Sequence, residues 1–298
     1  MRIGIVYDSH KKEARKLALE VDNCLREKVE EVSVYAEEVF LELDNSIVRT
    51  FTEVITFGGD GLVLHIANKV APFGIGMLRV NFGEVGFLTN VESNEVFPEL
   101  NNFLEGKYKE VERVRMQGTV KRGVVIDEIK KEVTGGKVKS RLDSLNELYT
   151  GGITSTVFLR LIVVGKESFE VTTKGDGAIF SSRTGSTGYN LNAGGPVLHT
   201  DLVFAVTASN GLFSYKAPMP NSKLVNENSF VLETGFLETG FKILVQVTRQ
   251  WKKNMPYLIA DADSKFKLLE GDVVLIERSP QSTIFLERER EAEKWKIL

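Results

Sequence analysis

Three short segments of this 298-residue chain concentrate glycines, hydroxyls and carboxylates. Gly58-Gly59-Asp60-Gly61 closes an apolar run, Lys174-Gly175-Asp176-Gly177 lies mid-chain, and Thr184-Gly-Ser-Thr-Gly-Tyr-Asn-Leu-Asn-Ala-Gly-Gly-Pro196 follows it. Glycines let the backbone approach a phosphate closely, and the amides at a helix start face an anion. Asp60 beside such a turn could take the proton of an attacking hydroxyl. It could equally cap the helix that follows. In the third segment Thr184, Ser186 and Thr187 supply hydroxyls for phosphate or sugar oxygens. Tyr189 offers a flat face or a phenol, and Asn192 adds an amide. Asp176, between two glycines, is presented to a ligand or is a simple turn aspartate. Asn146-Glu147 is a weaker signal, a dipeptide whose amide and carboxylate suit base and ribose recognition. Together these residues are the equipment of a phosphoryl transfer onto a dinucleotide.

Other chemistries lack their residues. Nothing like Gly-Lys-Ser/Thr follows Gly61, so the turn is not a Walker loop. Neither a Gly-x-Gly-x-x-Gly fingerprint after a strand nor a Gly-x-Ser-x-Gly elbow is present, which argues against a dehydrogenase and a serine hydrolase. His10, His65 and His199 show no metal-ligand spacing, and no metal-ligating residue is assigned. The charge, 38 basic against 41 acidic residues or −3, argues against a dedicated nucleic-acid or membrane-surface binder. Cys24 alone cannot form an internal disulfide, which fits a reducing cytoplasm. The N-terminus lacks a secretory signal, and no segment approaches the ~20 apolar residues that span a bilayer.

The elements that must carry these residues fall into two patterns. Residues 2–7, 31–35, 53–57 and 74–80 read as strands. Ala14, Leu17, Ala18, Val21 and Leu25 form a helical stripe, as do Val63, Ile66, Ala67 and Val70 just after Gly61, and a helix over 94–105 ends at Gly106. Alternating strands and helices predict an α/β N-terminal domain with a parallel sheet, over 1–110. After that come short β-branched and aromatic runs at 157–164, 168–173, 178–182, 203–208, 230–233, 243–248, 257–260, 273–277 and 282–286. They predict an all-β, sandwich-like C-terminal domain over 111–286. The charged stretch 127–143, with Gly135-Gly136, reads as an exposed hairpin or loop. The tail 287–298, with Ala292, Trp295 and Leu298 in register, reads as a short helix docking back on the first domain.

Taken in order, Gly58–Gly61, Asn81-Phe-Gly-Glu-Val-Gly-Phe-Leu-Thr89, Asn146-Glu147, Gly175–Gly177 and the 184–196 segment resemble the NAD kinases, over about residues 1–275. The 184–196 segment is specific to that family; Gly-Gly-Asp-Gly is shared with diacylglycerol and sphingosine kinases. The resemblance implies transfer of the ATP γ-phosphate to the 2′-hydroxyl of the adenosine ribose of NAD, giving NADP, with Mg²⁺ arriving on the nucleotide. It implies Asp60 as base, Gly58, Gly59 and Gly61 beside the phosphates, and Phe87 lining the NAD pocket. Asn146 and Glu147 would recognise adenine or ribose, and Asp176 the nicotinamide end or a neighbouring subunit's ligand. Thr187 and Tyr189 would pack around adenosine, with Lys174, Thr184, Ser186 and Asn192 among the other binding residues. A cytoplasmic homodimer or homotetramer, without nucleic acid or membrane, completes the expectation. Three departures stand out: Leu62 where the family has Thr, Asp261-Ala262-Asp263 where it has Asp-Gly-Gln, and no Arg-Pro within 210–220. They leave open the donor (ATP, another nucleoside triphosphate or polyphosphate) and the choice between NAD and NADH. A lipid or small-alcohol kinase, and a dinucleotide-binding regulator without turnover, are the alternatives.

Overall fold

The computed structural model describes residues 1–84, 86–128, 131–152, 156–164, 168–215, 222–233, 242–249 and 255–288. The chain divides into two compact units, Met1–Arg113 with the segment from Gln281 onward, and Val114–Pro280. It leaves the first unit within one strand and returns within another.

The first unit is built on parallel strands. These are β1 (Arg2–Tyr7), β2 (Glu31–Ala36), β3 (Glu53–Gly58) and β4 (Gly76–Asn81), in the order β4-β3-β1-β2. Helix α1 (Lys12–Leu25) presents Ala14, Ala18, Val21 and Leu25, all fully buried, to Ile3, Ile5, Ile55, Phe57, Leu78 and Val80. That stripe spans positions 14 to 25 at helical spacing, which is why the segment folds as a helix against the sheet. Two short helices, α2 (Glu37–Glu42) and α3 (Asn45–Val48), precede β3. Helix α4 (Asp60–Val70) leaves β3 directly and buries Leu62, Val63, Ile66, Ala67 and Val70. After β4 come the short strand β5 (Val91–Glu92) and helix α5 (Val96–Leu104), whose Val96, Leu100 and Phe103 join the α1 side of the core. The end of the last strand among the described residues pairs parallel with β4, matching Ile284 to Gly76 and Phe285 to Met77.

The second unit is antiparallel. One sheet runs β14 (Ser222–Asn226), β15 (Ser229–Glu233), β12 (Val203–Ser209), β11 (Gly177–Ser181), β8 (Glu147–Gly152), β17 (Pro256–Ala260) and β18 (Ser264–Lys267). The other runs β13 (Leu212–Tyr215), β10 (Phe169–Gly175), β9 (Val157–Val164), β16 (Lys242–Arg249) and the start of β19 (Val273–Arg288). Their inner faces share one core: Leu148, Phe180, Val206, Phe230 and Leu258 from the first meet Leu159, Leu161, Val171 and Val245 from the second. Alternation of buried and less buried residues, clearest in β10 and β17, places one apolar face inward, as sandwich packing demands.

Of the hairpin or loop expected over 127–143 the hairpin is what forms, as part of a longer one, β6 (Tyr108–Asp127) with β7 (Glu132–Ser144). Gly135 and Gly136, at φ 68° and 76°, lie inside β7 rather than at its turn. The two strands expected over 273–277 and 282–286 are one continuous strand, β19, which pairs with β16 at its start, with β4 near its end, and with β6. The expected tail helix lies outside the described residues beyond Arg288. Among the described residues no helix is long and apolar enough to cross a membrane.

Candidate functional site

In the first unit the site is a glycine turn at the carboxyl edge of the sheet. Gly58 ends β3, Gly59 caps α4, and Asp60 is the first helical residue. A Cβ on Gly58 would stand 2.9 Å from Leu62 Cβ, so that position has room only for glycine. Leu62, only 4% exposed, thus fills core space, whereas Gly61 faces open space. Asp60 is not a side-chain cap. Its carboxylate instead reaches the Asn81–Thr89 loop and accepts the amides of Phe87 (3.1 Å) and Leu88 (2.9 Å). The loop's own sequence explains its path. Asn81 Oδ1 accepts the Gly83 amide at 2.8 Å, Gly83 crosses directly over Gly59, and Gly86 takes a left-handed φ of 70°. Phe87 is left 51% exposed on this loop. Lys11, which no motif marked, donates from Nζ to the Phe82 carbonyl at 2.8 Å, and the same ammonium stands 3.7 Å from where a Gly59 Cβ would be. A cation therefore sits beside the turn.

In the second unit a cavity of about 300 Å³ is lined by Glu147, Tyr149, Gly152, Asp176, Tyr189, Ile259 and Ala262. It brings together Glu147, Asp176 and Tyr189 from three distant motifs. Tyr149, another unmarked residue, organises its floor: its single phenol proton is shared between the carbonyls of Asp176 (2.8 Å) and Gly152 (3.0 Å), and its ring meets Tyr189 edge-on at 5.8 Å. Burial, foremost, pushes the Tyr149 phenol's pKa upward, so it stays a donor. Tyr189 shares a 3.1 Å hydrogen bond with the Ser209 hydroxyl. Asp176 accepts from Asn210 Nδ2 at 2.7 Å.

Glu147 is 8% exposed, and its carboxyl is pushed up to about 7, first by burial and then by the negative charge of Asp261. Its Oε2, like Asn146 Oδ1, is buried without a hydrogen-bond partner. Buried polar atoms are nearly always paired, so two unpaired ones on adjacent residues are uncommon.

The 184–196 segment forms a turn of 3₁₀ helix over Thr184–Thr187 and the short helix α6 (Tyr189–Asn192). Much of its composition serves packing. A Cβ on Gly185 would overlap the Asn146 carbonyl, so this glycine lets the segment back directly onto Asn146. Ser186 is fully buried, donating to the Arg183 carbonyl (2.8 Å) and accepting the Leu198 amide (3.0 Å). Asn190, also unmarked, donates to the carbonyls of Ser186 and Pro196 and accepts from Thr207. Thr184 and Thr187 are partly exposed on the turn, and Asn192 is exposed at the end of α6. Lys174 is exposed on β10 with its ammonium 5.5 Å from the centre of the Phe158 ring, and it is not among the residues lining the cavity. The glycines flanking Asp176 answer to strand crowding: a Cβ on Gly175 would stand 2.7 Å from the Ser209 carbonyl, and one on Gly177 2.5 Å from that of Thr150.

Among the described residues no three His, Cys, Asp or Glu side chains gather to hold a metal ion.

An open α/β unit with a carboxylate at its glycine turn, in one chain with a β-rich unit whose cavity carries two carboxyl groups and two tyrosines, has the parts of a nucleotide-handling phosphotransferase. The family model described as the ATP-NAD kinase N-terminal domain matches residues 10–108. A NAD kinase of Natranaerobius thermophilus is 30% identical over 234 residues, covering 77% of this chain and 70% of its own. One of Moorella thermoacetica is 32% identical over 207 residues, 67% of this chain and 62% of its own. This chain belongs to the NAD kinase family. The fold is shared with an Archaeoglobus fulgidus NAD kinase solved with ATP, at a TM-score of 0.68 and 20% identity over 100% of this chain and 97% of that one. It is shared too with a yeast NADH kinase solved with NADH, at 0.73 and 18%, over 100% and 86%.

Proposed function

We propose that this chain phosphorylates the 2′-hydroxyl of the adenosine ribose of NAD with the γ-phosphate of ATP, with Asp60 as general base. The observation that carries the reading is the Asp60 carboxylate, held by two loop amides at the mouth of the glycine turn. Each carboxylate oxygen has a second lone pair, so this grip aims Asp60 while leaving acceptor capacity for a substrate hydroxyl. The ribose 2′-oxygen attacks the γ-phosphorus, the bond from that phosphorus to the β–γ bridging oxygen breaks, ADP leaves, and the hydroxyl proton passes to Asp60. The amides at the start of α4 and the Lys11 ammonium supply positive potential for the donor's phosphates. Asn146 and Glu147 receive adenine or ribose polar groups, Tyr189 packs on the adenosine, and Phe87 covers an apolar side of the dinucleotide. Magnesium arrives on the triphosphate rather than on a protein cage. The single cysteine supports a cytoplasmic setting, and the family resemblance supports a homodimer or homotetramer.

The test is NADP formation from NAD, ATP and Mg²⁺ by the wild type and Asp60→Asn, with NADH run in parallel. The expected result is turnover by the wild type and a loss of about 10²–10⁴-fold in the variant with NAD binding retained. Tight NAD binding without NADP from any donor would establish the regulator reading. No binding of NAD or NADH would restore the small-alcohol kinase.

A further inference from the structure

Beside the unsatisfied tips of Asn146 and Glu147 lies a backbone that is held at every polar group. The Asp261 carboxylate accepts the amides of Leu145 (2.9 Å), Asn146 (2.8 Å) and Glu147 (3.3 Å). On the carbonyl side, Leu145 accepts from the Ser182 hydroxyl (2.6 Å), Asn146 from the Ser182 amide (3.0 Å) and Glu147 from the Asp261 amide (3.1 Å). All six amides and carbonyls of three successive residues are thereby fixed.

The clamp is made at a conformational cost. Asp261 and Ala262 occupy the left-handed region consecutively, at φ 50° and 59°, which side-chain-bearing residues disfavour. Such strain persists only where the surroundings impose it, and it concentrates at functional sites. Here the two residues form the turn between β17 and β18, and Ala262 contributes to the cavity wall while Asp261 itself is buried behind it.

We propose that Asp261 is a positioning residue for dinucleotide binding: by clamping the Leu145–Glu147 backbone it holds Asn146 Oδ1 and Glu147 Oε2 in place for the ligand. The inference rests on the reading of Asn146 and Glu147 as ligand contacts. Asp261 has a second influence, through charge. The ionisable groups sharing the cavity with Glu147 are Tyr149, Asp176 and Tyr189, and Asp261 lies behind it, itself facing the buried Arg115. Glu147 exchanges its proton near neutrality. Ribose hydroxyls donate to an ionised carboxylate, so the KM for NAD falls as pH rises through about 7. Removing the negative charge at 261 favours ionisation of Glu147 and moves that limb to lower pH.

The experiment is steady-state kinetics of the full chain from pH 5.5 to 8.5 for Asp261→Asn, Ser182→Ala and Asn146→Ala, with thermal unfolding of each. For Asp261→Asn the expectation is a KM for NAD raised about tenfold at pH 8 with kcat changed far less, and the pH limb displaced downward. Ser182→Ala loosens the same backbone from its other side, and carries the expectation of a raised KM with the limb unmoved. A lowered melting temperature with wild-type KM and pH profile in both variants, while Asn146→Ala still raises KM, would overturn the proposal. An unchanged KM in Asn146→Ala would instead sink the reading of the site on which it rests. If Asp261→Asn does not fold, the KM of Ser182→Ala decides.

Discussion

At the scale of single residues, two carboxyl groups illustrate how surroundings assign roles. Asp60 is held by two neutral amides of the Asn81–Thr89 loop, whereas Glu147 is surrounded by apolar and acidic neighbours and resists ionising. A carboxyl whose folded pKa is raised binds its proton more tightly folded than unfolded. It contributes fully to stability below the unfolded value near 4.5, and that contribution is lost as pH rises to about 7. Glu147→Gln removes the loss. The variant is expected to match the wild type at pH 4 and to exceed it at pH 8 by on the order of 3 kcal/mol, measured by urea unfolding at both pH values. Leu62 makes the opposite point. As a departure from the family's threonine it reads as a hydroxyl missing beside the phosphates, but its side chain packs on Gly58 inside the core. Leu62→Thr is therefore expected to cost about 1–3 kcal/mol without raising turnover; improved kcat/KM for ATP would refute this assignment.

At the scale of elements, the strand–turn–helix of β3 and α4 was legible because its signals are local: an apolar run, a glycine turn, then a helical stripe. The 184–196 segment was legible as important and only partly for the right reason. Its serine and glycines read as ligand equipment, yet Ser186 closes internal hydrogen bonds and Gly185 and Gly195 clear space for Asn146 and Asn190. Glycine looks alike in sequence whether it admits a phosphate or a neighbouring strand. Gly185→Ala must push the Asn146 carbonyl aside, and is expected to lower stability by about 1–3 kcal/mol while raising the KM for NAD. A variant that loses stability with an unchanged KM would show that the segment serves packing alone.

At the scale of the molecule, each unit has its own core, and the first is closed by residues from both ends of the chain. Glu287, near the end of β19, accepts from Arg113 at 2.8 Å and lies 3.6 Å from Arg79, whose guanidinium stands 3.7 Å over the Phe285 ring. All three charges are buried. Removing one member of a buried ionic group leaves charge uncompensated, so Glu287→Ala is expected to cost about 3–5 kcal/mol. A fall in stability below 1 kcal/mol would show that the two arginines are sufficiently served by their other contacts.

Periodicity and turn chemistry act over a few residues, and for that reason the sequence alone determined the α/β unit, the antiparallel unit after it, and the motifs that mark a NAD kinase. A hairpin or loop over 127–143 was legible, but the continuity of β19 and the extension of the hairpin back to Tyr108 escaped it, since polar and glycine-bearing stretches break a local pattern without breaking backbone pairing. Tertiary structure alone decided that Asp261 grips amides 114 to 116 positions away, that Lys11 stands beside Gly59, and that Tyr149 rather than Lys174 joins Asp176 at the cavity. These contacts follow from strand register and chain crossings, which bring together residues whose local sequence carries no record of one another.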